Sequence, residues 1–93
     1  FSAFSSAKFA LRAVSQSMAR ELGPEGIHVA HFVIDGAIDT AFIKELFPDV
    51  YALKEKDGIL QPDAIAETYW FVHTQHRSAW THELDLRPYM EKF

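Results

Sequence analysis

Apolar positions along the chain form four patterned stretches separated by turn residues. Over residues 2 to 22, Ala3, Ala7, Ala10, Leu11, Val14, Met18 and Leu22 recur at helical spacing on one broad face, with no internal glycine or proline. That predicts a single helix, about 30 Å long at 1.5 Å per residue, stopped by Gly23-Pro24. Residues 27 to 34 read Ile-His-Val-Ala-His-Phe-Val-Ile. They favour a strand but do not alternate cleanly, which predicts cover on both faces, as in a parallel sheet. The dipeptide Asp35-Gly36 ends this strand in a turn. A second helix begins at Gln61-Pro62-Asp63, with a proline and an acid in its first turn, and runs to about Gln75. Its buried stripe is Ile65, Ala66, Tyr69 and Val72, widened by Trp70 and Phe71. Residues 82 to 87 alternate as a half-exposed strand with Leu84 and Leu86 inward, and Pro88 closes it.

The segment from 37 to 61 has no single period. Ala41 to Phe47 predicts a short helix capped by Thr40 or Asp39 and broken by Pro48 and Asp49. Lys54-Glu55-Lys56-Asp57-Gly58 reads as a charged turn. Such an insertion between regular elements is the kind that shapes a pocket. Helix, Gly-Pro turn, strand, helical crossover and strand together predict an α/β fold with one right-handed β-α-β unit. The leading helix calls for an earlier strand that the 93 residues do not contain. With Phe1 at the start and a helical pattern from the outset, the chain reads as an internal fragment of a larger domain. No internal repeat, low-complexity tract or domain boundary is visible.

Composition narrows the function classes. Apolar residues make up 48% of the chain, as in a globular protein. With 13 acidic against 9 Lys/Arg residues the net charge is −4, and no basic run occurs, so nucleic acid and anionic membrane surfaces are not expected partners. There is no cysteine, hence no disulfide, thiolate metal site or cysteine nucleophile. No stretch has the length and apolarity of a membrane span, and a reducing cytoplasm fits.

Phe4 and Lys8 stand four apart and share a helix face, in a row that continues to Leu11 and Ser15. A lysine at the edge of an apolar stripe either snorkels to solvent or serves a site. Phe9 projects about 100° away, among Arg12, Ala13, Gln16 and Arg20. It is a stray surface aromatic or part of a second contact face, which small Ala13 and Ser17 would let another helix approach. His73, His76 and His82 lie near one another in sequence, but no carboxylate completes a ligand set at metal spacing, and no metal site is expected.

Two longer stretches carry a family resemblance. AFSSAKFALRAVSQSMARELGPEGIHVAHFVIDGAIDT resembles the active-site helix, the following strand and the nicotinamide-side loop of the short-chain dehydrogenases/reductases. QPDAIAETYWFVHTQHRSAWTHELDLRP resembles their last helix and last strand. The resemblance implies the C-terminal part of a Rossmann-like doubly wound parallel sheet. It also implies an NAD- or NADP-dependent oxidoreductase that interconverts an alcohol and a carbonyl by hydride transfer. The family signature is Tyr-x-x-x-Lys: the tyrosine exchanges a proton with the substrate oxygen, and the lysine holds the cofactor ribose and lowers the tyrosine pKa. Lys8 takes the lysine place, and Phe4, which has no ionisable group, takes the tyrosine place. In the strand-end loop, Gly36, the Ile38 backbone and the Thr40 hydroxyl match the nicotinamide contacts. Asp35 replaces the usual proline, which implies a looser turn and an added negative charge.

The family's glycine-rich dinucleotide loop and catalytic serine fall outside these residues, and Gly23, Gly26, Gly36 and Gly58 cannot form that loop. The fragment alone is therefore expected to bind a dinucleotide poorly and to be inactive. The Phe4 substitution keeps a second class open, a non-catalytic relative used for binding or assembly. Family members pair the active-site helix across a subunit interface. Homo-oligomers are therefore expected, through the face containing Phe9, Ala13 and Gln16, the open strand edge, or both.

Overall fold

The computed structural model describes residues 1–92. Helix α1 spans Ser2–Leu22, as the periodicity predicts. Gly23 is its C-cap, as expected, but does not take the left-handed conformation. Gly23 stays in right-handed helical geometry and opens a 3-10 turn, Gly23–Glu25, with Pro24 inside it. The chain leaves that turn at Gly26, whose φ of 86° lies in the left-handed region. There the Gly26 amide donates to Gly23 O at 2.9 Å and the Ile27 amide to Leu22 O at 3.2 Å. These two bonds satisfy the last carbonyls of the helix, which Pro24 cannot do for lack of an N–H.

Strand β1 is His31–Ile34 and strand β2 is Glu83–Leu86. They pair in a two-stranded sheet. The constant offset of its flanking bonds, His31 N–H to His82 O at 2.7 Å and Asp35 N–H to Leu86 O at 2.9 Å, marks it as parallel. β1 is thus half the length expected from residues 27 to 34, and it is half-buried along its length where full cover was expected. Residues ahead of it are tied by side chains instead. The His28 ring lies 2.7 Å from Thr81 O through Nε2, and the His82 ring lies 3.1 Å from Val29 O through Nδ1. Each ring thus fixes one backbone carbonyl of the opposite segment, continuing the pairing where the backbone ladder has stopped. His28 also stacks on Trp80 with 4.5 Å between centroids. β2 keeps the alternation read from sequence: Asp85 is exposed and Leu84 and Leu86 are half-buried.

Three short elements fill the segment between the strands and the second long helix. Helix α2 is Ala41–Leu46, and Thr40, not Asp39, is its cap: the Ile43 amide donates to Thr40 Oγ1 at 3.3 Å. Pro48 opens helix α3, Pro48–Tyr51, at a first-turn position where its missing N–H is no loss. A 3-10 stretch, Ala52–Lys56, follows, and Asp57 turns out of it with a φ of 55°. Helix α4 is Pro62–His73, two residues shorter than expected. Its covered row is Ile65, Thr68 and Val72; Ala66 and Tyr69, expected to be buried, are exposed.

The chain packs as two units, Phe1–Phe32 with Val72–Leu84, and Val33–Phe71 with the residues from Asp85 onward. Among the described residues the first buries one large apolar side chain, Val72, and the second buries Ile59 and Leu60. No residue of α1 is buried. The apolar face read from sequence is present, but Leu11, Val14 and Met18 stay exposed, and only Ser15, Ala19 and Leu22 are half-covered.

Candidate functional site

In the first unit, α1 places Phe4 and Lys8 one turn apart. The Lys8 ammonium lies 5.6 Å from the centroid of the Phe4 ring. The pair therefore shares a face as the spacing dictates, and the cation rests over the aromatic π-system. Both side chains are exposed, so the ammonium keeps its donors for a solvent-side ligand. Phe9, Ala13 and Gln16 are exposed as well, and Arg12 lies 5.6 Å from the Phe9 ring.

One turn beyond Lys8, Arg12 forks onto Glu83: its Nε donates to Oε2 at 2.9 Å and its Nη2 to Oε1. His31 Nδ1 stands 3.4 Å from the same carboxylate. The Arg12 hydrogen bonds hold the Glu83 carboxyl below the ordinary carboxylate value, against desolvation that acts the other way. This contact joins α1 to β2 inside the unit. Nothing in the spacing of residues 12 and 83 announces it.

The second unit contains the strand-end loop, residues 35 to 40. Gly36 has a φ of 142°, and a β-carbon there would meet Pro88 Cδ at 2.8 Å and Cγ at 3.3 Å. Both the backbone angle and the buried Pro88 ring therefore require glycine. Asp35 is bonded through both backbone and side chain. Its amide donates to Leu86 O, and its Oδ2 accepts from Arg87 Nη2 at 2.7 Å. The added negative charge foreseen from sequence is matched by a guanidinium one residue before Pro88. Ile38 forms an isolated parallel bridge with Leu60, with the Asp39 amide donating to Leu60 O and the Leu60 amide to Ala37 O, both at 2.8 Å. Asp39 Oδ2 accepts from Lys54 Nζ at 2.9 Å. Thr40 Oγ1 accepts the α2 cap bond, which leaves its hydroxyl proton to donate elsewhere.

The structure thus brings Phe4 and Lys8 together, and separately Gly36, Ile38 and Thr40. Sequence reasoning missed Arg87, Pro88 and Lys54 as supports of the loop. The alternation through residue 87 signalled only a strand, and Lys54 sits in a run that reads as a charged turn. No group of three His, Asp, Glu or Cys side chains among the described residues has metal-site geometry. No helix among them is long and apolar enough to cross a membrane.

The architecture is a helix-rich α/β chain with a small parallel sheet, as in a fragment of a Rossmann-like fold. The chain is similar to a solved short-chain dehydrogenase from Rhodopseudomonas palustris, with 45% identity and a TM-score of 0.64. The match covers 96% of this chain and 31% of that one, so the chain spans about a third of its length. No family model matches the chain, and no curated protein does. That protein is of the class which the two sequence stretches resemble.

Proposed function

We propose that the chain is the C-terminal portion of a nicotinamide-dependent oxidoreductase of the short-chain type. In that reading it forms part of one larger domain whose dinucleotide-binding half lies outside these residues. The observation that carries the reading is the 45% identity, over nearly the whole chain, to a short-chain dehydrogenase. The residues present fit the group. Lys8 offers an exposed ammonium on a helix face. Gly36 lets the loop backbone pack closely on Pro88, the Ile38 backbone lies in a fixed bridge, and Thr40 keeps a donor proton.

In the intact protein Lys8 would hold the ribose of NAD or NADP, and Gly36, Ile38 and Thr40 would hold the carboxamide. The bound nicotinamide supplies or accepts the hydride, and the substrate is a small carbonyl or alcohol. The chain's own part is to bind and orient. Phe4 can neither give nor take a proton, so the acid or base for the substrate oxygen comes from another group. Cytoplasmic location belongs to the same proposal. Calorimetric titration of the intact protein with NAD(H) and NADP(H) tests it; absence of affinity for all four would refute it.

Phe4 favours a second reading, a relative that kept the fold for binding or assembly and lost the chemistry. A parent active on a range of carbonyls excludes that alternative.

A further inference from the structure

The strand-end loop is anchored at its far side by the insertion that follows it. Asp57 in its left-handed conformation and the Gly58 amide, which donates to Leu53 O at 2.8 Å, turn the chain back after the 3-10 stretch. The buried pair Ile59 and Leu60 then lies along Ala37–Asp39 through the two backbone bonds of the Ile38–Leu60 bridge. Gly58 cannot be replaced without disturbing this return, because a β-carbon would meet Met90 Sδ at 2.7 Å and Leu53 Cβ at 2.8 Å.

Against that backbone frame Lys54 reaches Asp39. Its ammonium lies 2.9 Å from Asp39 Oδ2, 3.4 Å from the Tyr51 hydroxyl and 5.5 Å from the Tyr51 ring centroid. The Asp39 side chain is 19% exposed and that of Lys54 45%. An isolated surface pair of this kind adds little to stability. Here the backbone bridge already sets the separation, so the pair's effect falls on the orientation of Asp39, the residue between Ile38 and Thr40.

We propose that Lys54 is a positioning residue for the nicotinamide-side loop: by holding the Asp39 carboxylate, it adds to the backbone bridge and the Thr40 cap bond a side-chain restraint on the segment between Ile38 and Thr40. The insertion that frames the substrate side is thereby coupled to the cofactor side. The proposal rests on the nicotinamide reading of that loop.

The test uses the intact protein with Lys54→Met, Lys54→Arg and Asp39→Asn. Amide hydrogen exchange is read on a peptide spanning residues 36 to 40, with a peptide from α1 as the internal reference. NADPH and NADH affinities are read by calorimetry. Lys54→Met and Asp39→Asn are expected to speed exchange in the loop about two- to fivefold, the range an exposed pair supports, and to leave the α1 peptide unchanged. Nucleotide affinity falls in parallel, and Lys54→Arg restores both. Loop exchange unchanged in Lys54→Met overturns the proposal. So does faster loop exchange with unaltered nucleotide affinity. A parent with no nucleotide affinity refutes the functional reading instead, while the exchange result still decides whether Lys54 holds the loop.

Discussion

At the scale of single residues, the proposed site turns on Phe4 beside Lys8 and on charges that find partners far away in sequence. Phe4→Tyr places a tyrosine four residues before Lys8 on one helix face. In the intact protein it is expected to raise carbonyl reduction by about 100-fold or more, the usual contribution of a positioned proton donor. Steady-state rates with small aldehydes and ketones read this out; no gain in a nucleotide-binding parent would mean that another group already supplies the proton. Glu83 gives a pH prediction. Its folded pKa is depressed, with the Arg12 hydrogen bonds as the largest cause. It therefore adds stability above its ordinary value of 4.5, and that stability fades as pH falls through the lower folded value. The difference in melting temperature between the parent and Arg12→Met should be full at neutral pH and shrink as the pH falls below 4.5. A difference independent of pH would remove the carboxylate from the explanation. Lys54 is shifted upward, chiefly by its hydrogen bond to Asp39, so its contribution persists through neutral pH and disappears only in strong alkali.

Local rules carry the elements well where a helix is long and its period is clear. α1 was legible to the residue at both ends because nothing within it competes with helical propensity. Gly23 is its C-cap, as the Gly-Pro dipeptide predicts, but Pro24 sits inside a 3-10 turn, so the left-handed exit comes three residues later, at Gly26. β1 was read too long for a different reason. Residues 27 to 30 have strand-like composition, but their contacts with the opposite segment run through side chains, the His28 ring to Thr81 O and the His82 ring to Val29 O, more than fifty positions apart in sequence. The loop at 35 to 40 was legible in its glycine and threonine and illegible in its supports, since Arg87, Pro88 and Lys54 act through tertiary contact. Gly36→Ala tests this element. The added β-carbon meets Pro88 at 2.8 Å at a φ of 142°, and the expected cost is about 2 kcal/mol or more in denaturant unfolding. A loss near zero would mean that the loop relaxes away from Pro88.

For the whole molecule the dominant fact is uncovered apolar surface. Phe4, Phe9, Phe42, Trp70, Phe71 and Tyr89 are each more than half exposed, whereas three large apolar side chains are buried among the described residues. Surface of this kind drives association. The chain on its own is expected to self-associate at micromolar concentration, and Phe9→Ser with Gln16→Glu, on one exposed face of α1, should weaken that association. Light scattering showing a monodisperse monomer of the parent chain would contradict it. The central claim, that this chain carries the ribose-holding lysine and carboxamide loop of a nicotinamide-dependent enzyme, is tested most directly by calorimetric titration of the intact protein with NADH and NADPH. Parent and Lys8→Met are to be compared. The account predicts measurable affinity for at least one nucleotide in the parent and a loss of about tenfold or more in Lys8→Met, as for a hydrogen bond from a charged donor. Equal affinity in the two proteins, or none in the parent, would contradict it.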